Sequence, residues 1–331
     1  MRVVVPAGGI GAARFLRGLL AALATNSPRE GANAQHEVTV IGNTADDITL
    51  FGLRVCPDLD TVMYTLGGGS HEQQGWGRAD EHFTVAAELT AYGMEPRWFG
   101  LGDRDIATHI VRTQMLAAGY PLSAVTEALC ARWRPGVRLV PMTDDQAETH
   151  VVIDADPVTH PAAEGGRRAI HFQEWWVRLH AQVPARAIVV VGLEQARPAP
   201  GVLAAIEAAD VIVLPPSNPV VSLGPVLGVP GIRAAIAAAA APVVGVSPII
   251  GGAPVRGMAD ACLAAIGVET SAQAVGTLYA DLLDGWLVAE ADAGADVKGV
   301  VVRSRPLLMT DVPAATALAA AALDLAAELR P

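Results

Sequence analysis

The chain has 331 residues, 52% of them hydrophobic, enough to bury a large core as one domain or two small ones. Its formal charge of −11 speaks against a general nucleic-acid binder, because a phosphate backbone calls for a basic surface; an enzyme acting on anionic nucleotides would gather its few arginines locally or use a metal. Cys56, Cys130 and Cys262 stand far apart with no C-x-x-C pair, no charged-then-apolar leader opens the chain, and no apolar run reaches the ~20 residues of a membrane span, so a cytoplasmic protein with no membrane partner is expected.

In chain order, the first pattern is a β-branched run, Val3 to Val5, that meets a glycine turn (Gly8, Gly9, Gly11) and then a helix opening on Ala12, Ala13 and Arg14. Glycines let the backbone approach a ligand, and the first N–H groups of a helix lack intrahelical partners, so the turn is a candidate anion site. The same residues also suit a tight strand-to-helix turn with no ligand. A second strand, Val38–Ile41, runs into I-G-N-T-A-D-D-I, which sets Asn43, Thr44, Asp46 and Asp47 beyond its carboxyl end, beside the glycine turn. Asp58 and Asp60 follow in C-P-D-L-D-T. Acids on two such loops can hold a hard divalent cation against a diphosphate, whereas capping and turn hydrogen bonds are the ordinary work of an isolated aspartate. Asp58 is assigned to a pre-strand turn, Asp46 and Asp60 to the cation.

The segment from about 84 to 135 reads as a helical insertion. Asp103 is placed as N-cap of a helix through Ala117, on which Thr108 and Arg112 share one face and Asp105 and His109 another. A second helix starts at Pro121 and ends at Trp133-Arg134-Pro135-Gly136. Glu148–Asp154 is a strand candidate, followed by a polar turn from Asp156 to Gly166. Phe172, Trp175, Trp176 and Leu179 fall at helical spacing, with Glu174 and Arg178 set for an i,i+4 pair; the two tryptophans are assigned to the core or a subunit interface. Further on, strands Ile188–Val191, Val211–Leu214 and Val243–Val246 alternate with helices Val202–Ala209 and Ile232–Ala240. Successive β-branched residues suit strands covered on both faces, so the expectation is a single α/β domain, 1–331, with a Rossmann-like, mainly parallel, doubly wound sheet. The loop P-P-S-N-P-V-V-S-L-G-P then brings Ser217, Asn218, Pro219 and Ser222 to the ligand edge. S-P-I-I-G-G-A-P-V-R-G-M-A-D brings Arg256, whose guanidinium could pair with a phosphate or a carboxylate.

The ordered blocks G-G-I-G-A-A-R-F, N-T-A-D-D, P-D-L-D-T, L-G-D-R-D-x-A-T-H, H-F-Q-E-W-W, P-S-N-P-V-V-S-L-G-P, S-P-I-I-G-G and R-G-M-A-D span nearly the whole chain. Together they resemble the 2-phospho-L-lactate transferase family of deazaflavin-coenzyme biosynthesis, including its actinobacterial phosphoenolpyruvyl transferase members. Ala12 and Ala45 stand where many members carry glycine, and both are small enough to keep the close backbone approach.

The resemblance implies a magnesium-dependent, generally dimeric enzyme. It would move a phospholactyl or phosphoenolpyruvyl group from a guanosine diphosphate-linked donor to the ribityl hydroxyl of a hydroxy-deazariboflavin, with release of GMP. Asp46 and Asp60 would then hold Mg²⁺ and serve catalysis. Gly8, Gly9, Gly11, Ala12, Arg14 and Asn43 would meet the donor phosphates, with Ser217, Asn218, Pro219 and Ser222 near its guanosine and Arg256 on an anionic group. Asp103, Thr108 and His109 would belong to the acceptor pocket. Two other readings stay open. The gluconeogenesis-factor family of nucleotide-sugar-binding regulators is similar at the glycine turn, N-T-A-D-D and the S-N-P loop. An NAD-dependent dehydrogenase is weakened by Ala12 and Ala13, which leave the turn short of G-x-G-x-x-G.

Overall fold

The computed structural model describes residues 1–25, 36–71, 75–156 and 164–330. Seven strands form one parallel sheet: β1 (Arg2–Ala7), β2 (Glu37–Gly42), β3 (Arg138–Pro141), β4 (Val211–Leu214), β5 (Val243–Val246), β6 (Gly285–Val288) and β7 (Val301–Ser304). Their order is β7-β6-β5-β4-β1-β2-β3. The chain therefore builds outward from β1 to one edge, returns to lie beside β1 as β4, and builds to the other edge. This is a Rossmann-like doubly wound sheet whose strand order reverses between β1 and β4, the place where such sheets leave a crevice at their carboxyl ends. Val3 and Val5 face one core and Val4 the other, and all three are buried, which is why these strands read as continuous apolar runs.

Five helices lie before β3: α1 (Gly9–Thr25), α2 (Pro57–Leu66), α3 (Thr84–Ala91), α4 (Asp103–Ala117) and α5 (Leu122–Trp133). On one sheet face α1 packs against the helix Val312–Glu328, with α2 and α5 alongside. Gly18 carries no side chain because a Cβ there would run into the backbone of Ala315. Of the segment expected as an insertion, α5 sends Leu122, Val125 and Leu129 into the sheet core, while α3 has no buried residue. Val202–Glu207, Leu223–Gly228, Ile232–Ala237, Ala259–Ala265 and Ala272–Thr277 cover the opposite face.

Several local expectations change. The helices expected to end at Ala209 and Ala240 end at Glu207 and Ala237, where i→i+3 bonds tighten the last turn (Ala209 N to Ile206 O, Ala239 N to Ile236 O). Ala187–Val191 is a strand, but it pairs antiparallel with Glu148–Asp154 in a small separate sheet with Arg167–His171. Only one of its faces is covered, and Val189 and Val191 are exposed, so its apolar run does not mark a doubly covered strand. Of the polar turn after Glu148–Asp154, positions 157–163 lie outside the described residues.

Asp103 is the first helical residue of α4 rather than its N-cap. Its carboxylate instead accepts hydrogen bonds from the backbone N–H groups of Thr84 (3.3 Å) and Val85 (3.0 Å) at the start of α3. Glu81 returns the service, accepting from Arg104 N and Asp105 N at 2.8 Å each. An acid of α4 thus caps α3, and an acid just ahead of α3 caps α4, pairings between residues about twenty positions apart.

Candidate active site

A cleft of about 800 Å³ opens at the carboxyl ends of β1, β4 and β5. Its floor is the glycine turn. Gly9 adopts φ +72°, and a Cβ on Gly8 would sit 2.6 Å from Asp58 Oδ2 and 2.7 Å from Ser222 Cβ. A Cβ on Gly11 would run into the carbonyl oxygen of Pro216. The turn is thus clasped between the start of α2 and the loop after β4, and the Ser217 hydroxyl donates to the Gly8 carbonyl at 2.9 Å. Asn43 ties the same parts together from below. Its amide donates to Asp58 Oδ2 (2.9 Å) and to Val221 O (3.1 Å), and its carbonyl accepts from Ala45 N (3.0 Å).

Among the residues expected at the site, Gly8, Gly9, Gly11 and Arg14 line the cleft from the first turn, and Asp46, Asp60 and His109 line it from the acidic side. Ser217, Asn218, Ser222 and Arg256 complete the set. Ala12, Asn43, Asp103, Thr108 and Pro219 do not line it. Ala12, Asn43 and Thr108 are buried behind the wall, and Asp103 caps α3. Asp58 lies in the first turn of α2, not before a strand, where it touches the underside of the glycine turn.

The carboxylates are buried together, and this sets their charge. Burial, and then the neighbouring charge of Asp58, holds the Asp46 carboxyl well above the usual range. Burial lifts Asp58 to about 6 against the pull of Asn43 and the Gly9 amide. Asp47 rises to about 7 through burial, opposed by Arg54 at 3.4 Å. Burial also raises Asp60, against the guanidinium of Arg112. Burial works the same way on Asp105, but its contacts with His109 (3.4 Å) and the Tyr64 hydroxyl (2.6 Å) outweigh it and keep that carboxyl low. At the opposite charge, Arg14 is held below the usual guanidinium value by burial and by its neighbours Arg256 and Arg17, which marks a local gathering of positive charge in an acidic protein.

Two buried carboxylate oxygens, Asp46 Oδ1 and Asp60 Oδ2, have no hydrogen-bond partner and belong to cleft-lining residues. Unsatisfied buried oxygens of this kind fit a hard divalent cation, which takes oxygen ligands. Among the described residues, the one group of three or more His, Cys, Asp or Glu side chains with mutually close ligand atoms is Asp60, Asp105 and His109, all within 4.8 Å of one another. Asp46 is not a member of that three-residue group; Asp58 and Asn43 are among its neighbours.

The walls are aromatic. Trp175 is fully buried, with its indole N–H donating to Val183 O at 2.7 Å, as a core residue should. Trp176 instead faces the cleft, stacked on Phe172 at 6.0 Å between ring centroids. Successive residues of one helical turn point different ways, so the two tryptophans cannot share a role. Glu174 and Arg178 pair at 2.9 Å as expected, although their turn is π-helical. Sequence reasoning missed Tyr64, Gln173 and the segment 307–310 at the cleft. For Asp105 and Arg112 it saw the helical spacing but not the partners. Nothing in the sequence around 307–310 marks it, because the return of the chain from β7 to the cleft is what brings it there.

The sequence pattern of the 2-phospho-L-lactate transferase CofD family matches residues 3–303. A phosphoenolpyruvate transferase of Thermobifida fusca is 70% identical over 331 residues, covering 100% of this chain and 99% of that protein. Phosphoenolpyruvate transferases of Streptomyces griseus and Mycolicibacterium smegmatis are 64% and 55% identical, over 100% and 98% of this chain and 100% and 99% of theirs. Among solved structures, a Bacillus halodurans protein of the UPF0052 family is 17% identical with a TM-score of 0.57, covering 97% of this chain and 99% of that one, a likeness of fold alone. With the family pattern spanning β1 through β7 and relatives this similar over their full lengths, the chain belongs to the 2-phospho-L-lactate transferase CofD family and is a transferase.

Proposed function

We propose that the protein transfers a phosphoenolpyruvyl or 2-phospholactyl group from a guanosine diphosphate-linked donor to the terminal ribityl hydroxyl of 7,8-didemethyl-8-hydroxy-5-deazariboflavin, with Mg²⁺ as cofactor. The observation that carries this reading is the convergence, in one cleft, of a clasped glycine turn, Arg14 and Arg256, and buried carboxylates with open oxygens. The names of the similar actinobacterial proteins favour the phosphoenolpyruvyl form.

In this reading the hydroxyl oxygen attacks the phosphorus that carries the enolpyruvyl or lactyl group. The bond from that phosphorus to the bridging oxygen breaks, and GMP leaves with the electron pair. The hydroxyl proton passes to a cleft carboxylate, for which Asp60 is the candidate. The backbone N–H groups at the start of α1, with Arg14, hold the donor phosphates; Arg256 meets an anionic group of the donor; and the loop 216–222 carries the guanosine end. Trp176, Phe172 and Phe99 offer a planar acceptor the apolar walls it needs. Asp46 and Asp60 are the residues that would hold Mg²⁺, which when bound neutralises the phosphates and lowers the barrier to attack by a weakly nucleophilic alcohol. A cytoplasmic homodimer is part of the same proposal, supported by the exposed apolar side chains of Phe83, Tyr92 and Met94 around the unburied α3.

The test is incubation with the hydroxy-deazariboflavin, Mg²⁺ and each synthetic guanosine donor, with products resolved by mass. A phosphodiester product and GMP in equal amounts are expected, lost by a factor of about 100 or more in Asp60→Asn. Tight nucleotide binding with no product from either donor would sink the reading.

A further inference from the structure

Arg112 does not line the cleft. It is 1% exposed and lies directly behind Asp60. A guanidinium has donors only, so each of its contacts has a defined direction. Nη2 donates to Asp60 Oδ1, and Nη1 donates to the Arg54 carbonyl (3.2 Å) and meets His109 Nδ1 at 3.0 Å. Since the guanidinium cannot accept, His109 Nδ1 is the acceptor. The other ring nitrogen, Nε2, lies 3.4 Å from Asp105 Oδ2. Asp105 Oδ1 in turn accepts from the Tyr64 hydroxyl at 2.6 Å. Hydrogen bonds thus link Asp60, Arg112 and His109 Nδ1 on one side, and Tyr64 to Asp105 on the other, with His109 Nε2 close to Asp105 but not hydrogen-bonded to it.

The effect is concentrated on Asp60. Its Oδ1 is taken inside the protein by Arg112, while Oδ2 is buried without a hydrogen-bond partner on a residue that lines the cleft.

We propose that Arg112 is a positioning residue that fixes the Asp60 carboxylate one-sided, so that Asp60 offers a divalent cation a single oxygen in a set orientation. The proposal rests on the reading of Asp60 as a cation ligand. Removing the guanidinium frees Asp60 to rotate and to spend both oxygens on other partners. A lysine cannot replace it, because an ammonium lacks the planar fork that reaches Asp60, His109 and the Arg54 carbonyl at once.

The experiment titrates Mn²⁺ into the substrate-free full chain, read by calorimetry and by loss of the free-ion electron spin resonance signal. The proteins are the wild type, Asp60→Asn, Arg112→Lys and Arg112→Gln, each with its melting curve recorded. Arg112→Lys is expected to melt cooperatively and to bind Mn²⁺ about 10-fold more weakly or worse, the usual scale for losing a group that orients a metal ligand. Asp60→Asn is expected to lose at least as much. In the transferase assay, Arg112→Lys should need more metal for half-maximal rate and recover most of its turnover at saturating metal, which a general loosening of the fold would not produce. If Arg112→Lys is unfolded at the assay temperature, Arg112→Gln, which keeps an uncharged donor for Asp60, is read by the same criteria. Wild-type Mn²⁺ affinity in a folded Arg112 variant, with Asp60→Asn weakened, overturns the positioning role alone. Wild-type affinity in Asp60→Asn overturns the ligand reading itself.

Discussion

Gly11 and Pro216 show how little freedom the site leaves to single residues. The Pro216 carbonyl occupies the space a Cβ would need, and the atom that must yield is backbone, not the end of a flexible side chain. Gly11→Ala is therefore expected to cost about 1–3 kcal/mol of stability, measured by denaturant unfolding, and to raise the donor KM by widening the clasp. His171 gives a pH signature. Burial holds its imidazole below the usual histidine value; its Nδ1 accepts from Gln173 N (3.1 Å) and its Nε2 donates to Asp47 O (3.1 Å). A folded-state value below the unfolded one means that the stability is present above about pH 6.5 and is lost as pH falls through the folded-state value. Thermal midpoints taken from pH 7.5 down to 5 should fall further for the wild type than for His171→Gln; parallel curves would remove the role. At this scale the sequence was legible where function depends on a residue's own type and immediate neighbours, as with the glycines, Arg14 and the loop acids. It was silent where the partner is remote: Arg112 lies 52 positions from Asp60, and Tyr64 lies 41 from Asp105.

Among the elements, the reciprocal capping of α3 and α4 separates structure from chemistry. Asp103 reads from sequence as a cap with a second candidacy in the acceptor pocket, yet its carboxylate is committed to Thr84 and Val85. Asp103→Ala should lower stability by about 1 kcal/mol and leave the KM of both substrates unchanged. A raised acceptor KM with an unchanged melting curve would restore the pocket assignment. β1, β2, β4 and β5 were legible because they are buried on both faces and so consist of continuous apolar runs. β3 and β7 were not, because they form the two edges of the sheet and carry Arg138 and Arg303, and β6 was not, because Gly285-Trp286-Leu287 offers no β-branched run. Ala187–Val191 shows the converse: the same run of apolar residues serves a strand with one face in solvent, since local sequence does not record what covers it.

For the molecule as a whole, the reversal of strand order beside β1 accounts for the position of the cleft. Loops that follow β1, β4, β5 and β7 all end there, so residues from Gly8 to Thr310 share one chamber. The alternation of strands and helices announced this sheet, whereas its order, and with it the return of 307–310 to the cleft, depends on pairings between distant strands. The close seat of Gly18 on Ala315 adds a constraint in time. On a ribosome, α1 emerges long before Val312–Glu328, the helix that packs on Gly18, and among the described residues no earlier element lies against that glycine. The nascent chain must therefore carry an open apolar seam beside its phosphate turn through most of synthesis, a natural client for chaperones and a hazard without them. A chain stopped after Thr310 should collect as aggregate when translated without chaperones, and adding the missing helix as a separate peptide during synthesis should return part of it to the supernatant.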